Sequence, residues 1–214
     1  MILNILIVVS VDAEKQAVVA GLEGDNRFTV IVGGVGAVTV AANTSKELAI
    51  NKYSYVINMG IAGGFIGKVE VGSLVIANEI IAADLGTETA EGFQTLEQLE
   101  LGCSRIQCDS LLANRLVEGL SIAGITYTQG SILTISTVTG TATIANELMR
   151  RNPMAIAEAM EGFGAATAAK LHEVPVLEIR TISNTIGPRD RASWRIKDAL
   201  DKLQQVSTVL KEVL

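Results

Sequence analysis

Residues 2–22 read ILNILIVVSVDAEKQAVVAGL, an apolar run followed by an acidic turn and a helical pattern. Residues 2–9 are mostly aliphatic, with several β-branched side chains, and too few to cross a bilayer, so they predict a buried strand. Asp12 is a favourable N-cap residue and predicts a helix over Asp12–Leu22. A buried strand followed at once by a helix indicates an α/β fold.

The same alternation continues along the rest of the chain and predicts a largely parallel sheet with crossover helices. Strands are expected at residues 28–32, 55–59, 73–82, 126–134 and 174–183, with a short apolar stretch at 155–159, and helices at 37–50, 109–123, 141–150, 162–171 and 194–213. Residues 84–102 are polar and predict a mobile loop. A length of 214 residues without a linker or a repeat predicts a single domain over residues 1–214.

Composition excludes several classes of function. The chain has 17 basic and 23 acidic residues, a net charge of −6, and no Lys/Arg stripe, which argues against binding to nucleic acid. No apolar stretch is long enough to span a membrane. The two cysteines, Cys103 and Cys108, and the single histidine, His172, are too few for a disulfide framework or a metal site. We therefore expect reduced thiols, a cytoplasmic protein and no bound metal.

Polar or glycine-rich features follow several of the predicted strands. They are Glu14, residues 60–64, Glu161 and Asn184, and ligands of open α/β sheets bind at such strand ends. Each feature also has an ordinary structural explanation. Glu14 can be a solvated carboxylate in the first turn of a helix, and Asn184 can be a turn former. Their convergence on one edge of the sheet favours a binding site.

Two glycine segments, residues 33–36 and 60–64, follow strands. Neither forms G-x-G-x-x-G, and neither carries the Lys and Ser/Thr of a P-loop, so a dinucleotide site is weakly supported. The segments can be tight turns, or they can let backbone amides approach a sugar or a nucleophilic water.

Charged residues near the other strand ends allow two further hypotheses. Glu161 lies among small and apolar residues with few local charges to pair with it, so we expect it to bind a ligand. Arg189 and Arg191 follow Asn184, and they either form a solvated loop or hold a carboxylate of the ligand.

Four segments together resemble the nucleoside phosphorylase/nucleosidase family over essentially the whole chain. They are residues 11–14 (VDAE), 58–64 (NMGIAGG), 158–162 (EAMEG) and 180–184 (RTISN), in the family's order. The resemblance implies a three-layer α/β/α sandwich around a mixed, partly barrel-like sheet. It also implies a homodimer or larger homo-oligomer that acts on a purine nucleoside without a cofactor.

The resemblance implies a role for each matching residue. Glu14 would activate the attacking water, and Asn184 would face the N7 edge of the purine. Glu161 would bind the ribose hydroxyls, with Met160 against the sugar. The remaining predicted contacts are Gly60, Ile61, Ala62 and Gly63 beneath the ribose, and Ser136, Thr137 and Val138, with Thr139, near the base.

Residues 187–191 (GPRDR) and Trp194 resemble more narrowly the branch of the family that hydrolyses futalosine, in a menaquinone pathway. Nucleosidases that release adenine from methylthioadenosine or S-adenosylhomocysteine have Asp where Asn184 stands. A neutral amide can donate to N7 or O6 of a 6-oxopurine, so Asn184 indicates hypoxanthine as the leaving group. These nucleosidases also often have Ser in place of Ile61, so contacts to the water can differ.

Three alternatives remain open at this point. The first is a nucleosidase for methylthioadenosine or S-adenosylhomocysteine. A phosphorylase is disfavoured because Asp12 and Glu14 would repel phosphate at the turn where phosphorylases place an arginine. A nucleoside-binding protein without activity is the third, since a fold does not guarantee catalysis.

Overall fold

The computed structural model describes residues 3–214 and shows an α/β architecture with ten strands and six α-helices in that part of the chain. The strands are β1 (Ile5–Val9), β2 (Phe28–Val32), β3 (Tyr55–Gly64), β4 (Leu74–Ala82), β5 (Gly86–Thr89), β6 (Gly92–Thr95), β7 (Arg105–Gln107), β8 (Tyr127–Thr134), β9 (Ala155–Ala159) and β10 (Val176–Thr185). The helices are α1 (Asp12–Leu22), α2 (Ala37–Ile50), α3 (Ser110–Ile122), α4 (Ala142–Arg151), α5 (Gly162–Leu171) and α6 (Ile196–Val213), with a 3-10 turn at Arg191–Ser193.

The main sheet is mixed and partly closed. Its strand order is β10-β4-β8-β9-β3-β1-β2, and β10 also pairs with β3, so five strands form a ring that β1 and β2 extend. The pairs β1–β2, β1–β3, β3–β10, β4–β8 and β8–β9 are parallel, whereas β4–β10, β3–β9 and β4–β7 are antiparallel. The expected mixed, partly barrel-like sheet is confirmed.

Helices cover both faces of the sheet. On one face α6 packs against α1 and α3, where Leu203, Val206 and Leu210 are fully buried. On the other face α5 packs against α2. A side chain at Gly164 would begin 2.0 Å from the carbonyl oxygen of Ala37, so the two helices approach closely only because this residue is glycine. The predicted three-layer α/β/α arrangement is confirmed.

The segment of residues 60–64 is part of a strand, not the turn that the glycines suggested. β3 continues through Gly64 because its last residues pair with β10 on one side and with β9 on the other. Hydrogen bonds to both neighbours hold an extended backbone that local sequence alone does not favour.

The expectation of a loop over residues 84–102 is wrong for the hairpin formed by β5 and β6. Gly92 has φ of +122°, which suits the tight connection between the two strands. The Arg151 guanidinium lies 4.1 Å from the Phe93 ring centroid and ties the hairpin to α4.

Other boundaries shift by a few residues. The last predicted strand runs over Val176–Thr185, and the last helix begins at Ile196 instead of Trp194. β7 was not predicted, because three residues are too short for a periodic pattern. Residue 2 of the first predicted strand lies outside the described residues.

Candidate active site

One cavity of about 230 Å³ near the carboxyl ends of β1 and β10 collects most of the predicted site residues. Its predicted lining residues are Glu14, Ile61, Ala62, Gly63, Val138, Thr139, Met160, Glu161 and Asn184. Its other lining residues are Ser10, Val11, Glu158, Ala159, Ser183, Ile186 and Trp194. The volume approaches the lower end of small-molecule sites, which run from roughly 300 to 1,000 Å³.

Glu14 is held in the first turn of α1 by three backbone N–H groups. Its Oε2 accepts hydrogen bonds from Ser10 (2.8 Å) and Val11 (3.3 Å), and its Oε1 accepts one from Ile61 (2.9 Å). Only 3% of the residue is exposed. A carboxylate oxygen accepts two hydrogen bonds, so Oε1 keeps an unused lone pair. The side chain is therefore fixed in place and keeps an acceptor position that no protein group uses.

Gly60 lies behind this carboxylate. A Cβ atom there would stand 2.5 Å from Oε1 of Glu14 and 2.7 Å from Nη1 of Arg180. The absence of a side chain lets both charged groups pack against β3. Gly60 therefore shapes the site from behind, while the three residues after it line the cavity.

Glu161 has an ion-pair partner that sequence reasoning missed. Its Oε2 lies 3.3 Å from Nη2 of Arg180, and its Oε1 accepts a hydrogen bond from the N–H of Gly36 at 3.3 Å. The expectation of few charges to pair with it concerned residues close by in the sequence, whereas this partner comes from another segment of the chain. Arg180 is nineteen residues from Glu161 along the chain. It lies on β10, which is separated from β9, the strand before Glu161, only by β3.

Arg180 anchors a buried network. Its Nε donates to Oε1 of Glu178 at 2.8 Å, and its Nη2 also donates to Asn58. Burial by itself would lower the pKa of the guanidinium, but the carboxylates of Glu178, Glu161 and Glu14 outweigh burial and raise that pKa. With 1% exposure, Arg180 is a fixed positive charge behind the cavity.

Asn184 reaches the cavity through an irregularity of β10. Ile182 pairs with Ala62 and Asn184 pairs with Gly63, so Ser183 is an extra residue that bulges from the ladder. The Asn184 amide donates one hydrogen to the carbonyl of Thr185 at 3.0 Å, and its oxygen accepts from the Ser183 hydroxyl at 2.8 Å. The second amide hydrogen remains available to a ligand.

Besides Gly60, four predicted contacts lie outside the cavity lining. The N–H of Ser136 donates to Asp84 at 2.6 Å, and Ser136 and Thr137 are both exposed. Arg189 and Arg191 do not line the cavity, although the Arg189 guanidinium lies 5.5 Å from the ring centroid of Trp194, which does.

Glu158 and Trp194 line the cavity but were not predicted as site residues. Glu158 belongs to the motif at residues 158–162. The sequence could have identified it as a site residue, because it is an acid on a short apolar strand. Trp194 precedes α6 and forms part of the cavity wall.

The arrangement suits the cleavage of a glycosidic bond. Two carboxylates can favour a sugar that becomes positively charged, and an amide can donate to a departing base that becomes negative. Within residues 3–214, no three His, Cys, Asp or Glu side chains gather as metal ligands. No helix in that range has the length and hydropathy needed to cross a membrane.

Comparisons with known proteins give a consistent result. A family model described as the Phosphorylase superfamily matches residues 8–214. Futalosine hydrolase of Streptomyces coelicolor is 44% identical over 192 residues, which cover 87% of this chain and 80% of that protein. Futalosine hydrolase of Acidothermus cellulolyticus is 40% identical over 218 residues, which cover 96% and 89%. The solved futalosine hydrolase of Helicobacter pylori has a TM-score of 0.83 at 18% identity, covering 100% of this chain and 97% of that one, and shows the same fold.

Proposed function

Because the chain belongs to the phosphorylase superfamily, as its motifs predicted, we propose that it hydrolyses the N-ribosidic bond of futalosine. The products are hypoxanthine and dehypoxanthine futalosine, in menaquinone biosynthesis. One observation carries the proposal: Glu14, Glu161 and the neutral Asn184 line a single cavity. The identity of 44% and 40% to two futalosine hydrolases supports the choice of substrate.

Each of the three residues has a distinct role in this reaction. Glu14 takes a proton from water as the water attacks the anomeric carbon. Glu161 accepts hydrogen bonds from the ribose 2′- and 3′-hydroxyls and favours positive charge on the sugar. Asn184 donates to N7 or O6 of the base, which favours its departure as an anion.

Water, not phosphate, is the proposed nucleophile. No Lys or Arg is among the described residues that line the cavity, and Arg180 behind it is already bound to Glu178 and Glu161. Phosphate would meet Glu14 and Glu161 without a free cation to offset their charge. This distribution of charge favours hydrolysis over phosphorolysis.

The test is hypoxanthine or adenine release from futalosine, inosine and methylthioadenosine, each with and without phosphate. We expect release from futalosine that does not depend on phosphate. Adenine release from methylthioadenosine would overturn the inferred base specificity, and a requirement for phosphate would establish the phosphorylase alternative. Tight binding of futalosine without any release would indicate a nucleoside-binding protein.

Arg189 and Arg191 are proposed to hold the carboxylate of the benzoate-bearing group of futalosine. The support is the position of Arg189 against Trp194, because Trp194 forms part of the cavity wall. Arg189→Ala and Arg191→Ala should raise the KM for futalosine and leave the slower turnover of inosine unchanged. Unaltered futalosine kinetics in both variants would exclude this role.

A cytoplasmic location and a homodimer or larger homo-oligomer are also proposed. Cys103 and Cys108 are free thiols, which suits a reducing compartment. Val35 and Val38 are exposed apolar residues beside Gly36, whose N–H binds Glu161, and a second subunit would cover them. Fractionation and light scattering test the two statements separately.

A further inference from the structure

The roles assigned above leave one buried acid of the cavity unused. Glu158 lies on β9, is 5% exposed and lines the cavity together with Thr139. Its Oε1 accepts a hydrogen bond from the N–H of Thr139 at 3.0 Å, and its Oε2 accepts one from the Thr139 hydroxyl at 2.5 Å. A carboxylate has about four acceptor positions, so about two remain for a ligand.

Glu158 and Asn184 lie in one row across three neighbouring strands. Glu158 pairs with Gly63 of β3, and Gly63 pairs in turn with Asn184 of β10. Neighbouring strands are about 4.8 Å apart, so the two outer residues stand about 10 Å from each other across the row. Residues in one row point to the same face of a sheet, and both side chains line the same cavity.

Gly63 lies between the two polar residues in this row. A Cβ atom at this position would lie 2.8 Å from Cγ1 of Ile186 and 3.4 Å from Nδ2 of Asn184. Ile186 and Asn184 can approach β3 this closely because residue 63 is glycine. The Ile186 side chain therefore gives the cavity an apolar surface beside the Asn184 amide, which suits the face of a flat ring.

We propose that Glu158 determines base specificity by accepting a hydrogen bond from the N1–H group of a 6-oxopurine. Asn184 donates to O6 or N7 of the same ring, so the two side chains present an acceptor and a donor in the order that hypoxanthine requires. Adenine carries a lone pair at N1, which a carboxylate repels. The inference deepens the proposed function and rests on it.

The environment of Glu158 supports this role. Burial raises the pKa of its carboxyl, and the hydrogen bonds from Thr139 offset only part of that effect. A buried carboxylate is stabilised by each further donor. The N1–H of the base supplies such a donor, whereas water is displaced from the cavity when the base binds.

The experiment measures binding of free bases, which separates this inference from hydrolysis. Hypoxanthine, 1-methylhypoxanthine and adenine are titrated into the full-length protein and into Glu158→Gln and Glu158→Ala variants by calorimetry. Methylation replaces N1–H, so 1-methylhypoxanthine should bind the unaltered protein about 10- to 100-fold more weakly than hypoxanthine. Glu14→Gln serves as a control, since it removes a different cavity carboxylate.

In Glu158→Ala the affinities for hypoxanthine and 1-methylhypoxanthine should become nearly equal. The variant lacks both the carboxylate that accepts from N1–H and the side chain that would crowd a methyl group at N1. In Glu158→Gln the preference for hypoxanthine over adenine should narrow at least tenfold, because the amide can donate to N1 of adenine. In Glu14→Gln the affinity for hypoxanthine relative to 1-methylhypoxanthine, and relative to adenine, should stay as in the unaltered protein.

Two results would overturn the proposal. If Glu158→Gln and Glu158→Ala weaken the binding of all three bases by the same factor, Glu158 only supports the loop around Thr139. If the unaltered protein binds hypoxanthine and 1-methylhypoxanthine alike, the N1–H group is not recognised, and this comparison needs no variant to fold. Hypoxanthine binding that depends on N1–H, without futalosine hydrolysis, would sustain this inference while refuting the proposed function.

Discussion

Oε1 of Glu14 accepts a hydrogen bond of 2.9 Å from the backbone N–H of Ile61, which ties the first turn of α1 to the end of β3. The carbonyl of the same Ile61 accepts a hydrogen bond from Arg180 at 3.3 Å. One residue of β3 therefore connects the acid proposed as the base to the arginine that pairs with Glu161. The two carboxylates are positioned by a single strand, and the glycine before Ile61 leaves room for both contacts.

Gly60→Ala should reduce kcat about 100-fold, since a displacement of about 1 Å in a catalytic group can cost that much. The new methyl would stand 2.5 Å from Oε1 of Glu14 and force it to move. Steady-state hydrolysis of futalosine measures the effect. Gly140→Ala is the matched control, because its nearest neighbour would be 4.0 Å away at Cγ of Arg189. Equal activity in the two variants would show that Glu14 tolerates the displacement.

Glu14→Gln should lower kcat by about 100- to 10,000-fold and leave the affinity for futalosine nearly unchanged. The amide keeps the size of the side chain but cannot take the proton of the water. Single-turnover hydrolysis and substrate titration measure the two quantities separately. Glu118→Gln, on the exposed face of α3, is the control for removal of one negative charge. Retained turnover in Glu14→Gln would remove Glu14 from the role of base.

Arg180→Met should lower the free energy of unfolding by about 3 to 5 kcal/mol, because it leaves buried carboxylates without a partner. Urea denaturation followed by circular dichroism measures the loss. The double variant Arg180→Met, Glu178→Gln should recover part of it, since Glu178 is fully buried beside the guanidinium at 2.8 Å. If the double variant is as unstable as the sum of the two single changes, the Glu178–Arg180 pair is not the source of the effect.

Cys108 should resist alkylation in the folded protein, whereas Cys103 should react. Burial, reinforced by the negative charge of Glu178, raises the pKa of the Cys108 thiol to about 12, and only the thiolate is nucleophilic. Cys103 is exposed. Iodoacetamide at neutral pH should add one group to the native chain and two to the chain unfolded in urea, by intact mass. Rapid addition of two groups to native protein would contradict this packing of Cys108.

Local sequence was sufficient to predict most helices and strands, because apolar periodicity reflects which face of an element is buried. It failed at β3, where Gly60, Gly63 and Gly64 suggest a turn although two neighbouring strands hold them extended. It also failed at the β5–β6 hairpin, whose exposed strands carry no apolar pattern. The pairing that keeps the end of β3 extended is long-range, and no short window of sequence contains both partners.

For the site, too, some features could be predicted from the sequence and others could not. The family motifs were enough to mark Glu14, Glu161 and Asn184, because a carboxylate or an amide at a strand end is a local feature. Residue type alone also showed that position 184 carries a neutral amide and not an acid, and this indicated hypoxanthine as the leaving group.

Only the tertiary structure decided how these groups are held and what accompanies them. Arg180 meets Glu161, and Glu158 shares a row with Asn184, because β10, β3 and β9 lie side by side in a partly closed sheet. These partners are 19 and 26 residues apart along the chain, and which of them meet depends on strand register and on one bulge at Ser183. The sequence by itself determined which chemical groups are present, whereas strand pairing decided their distances, since a side chain's neighbours across a sheet come from other segments of the chain.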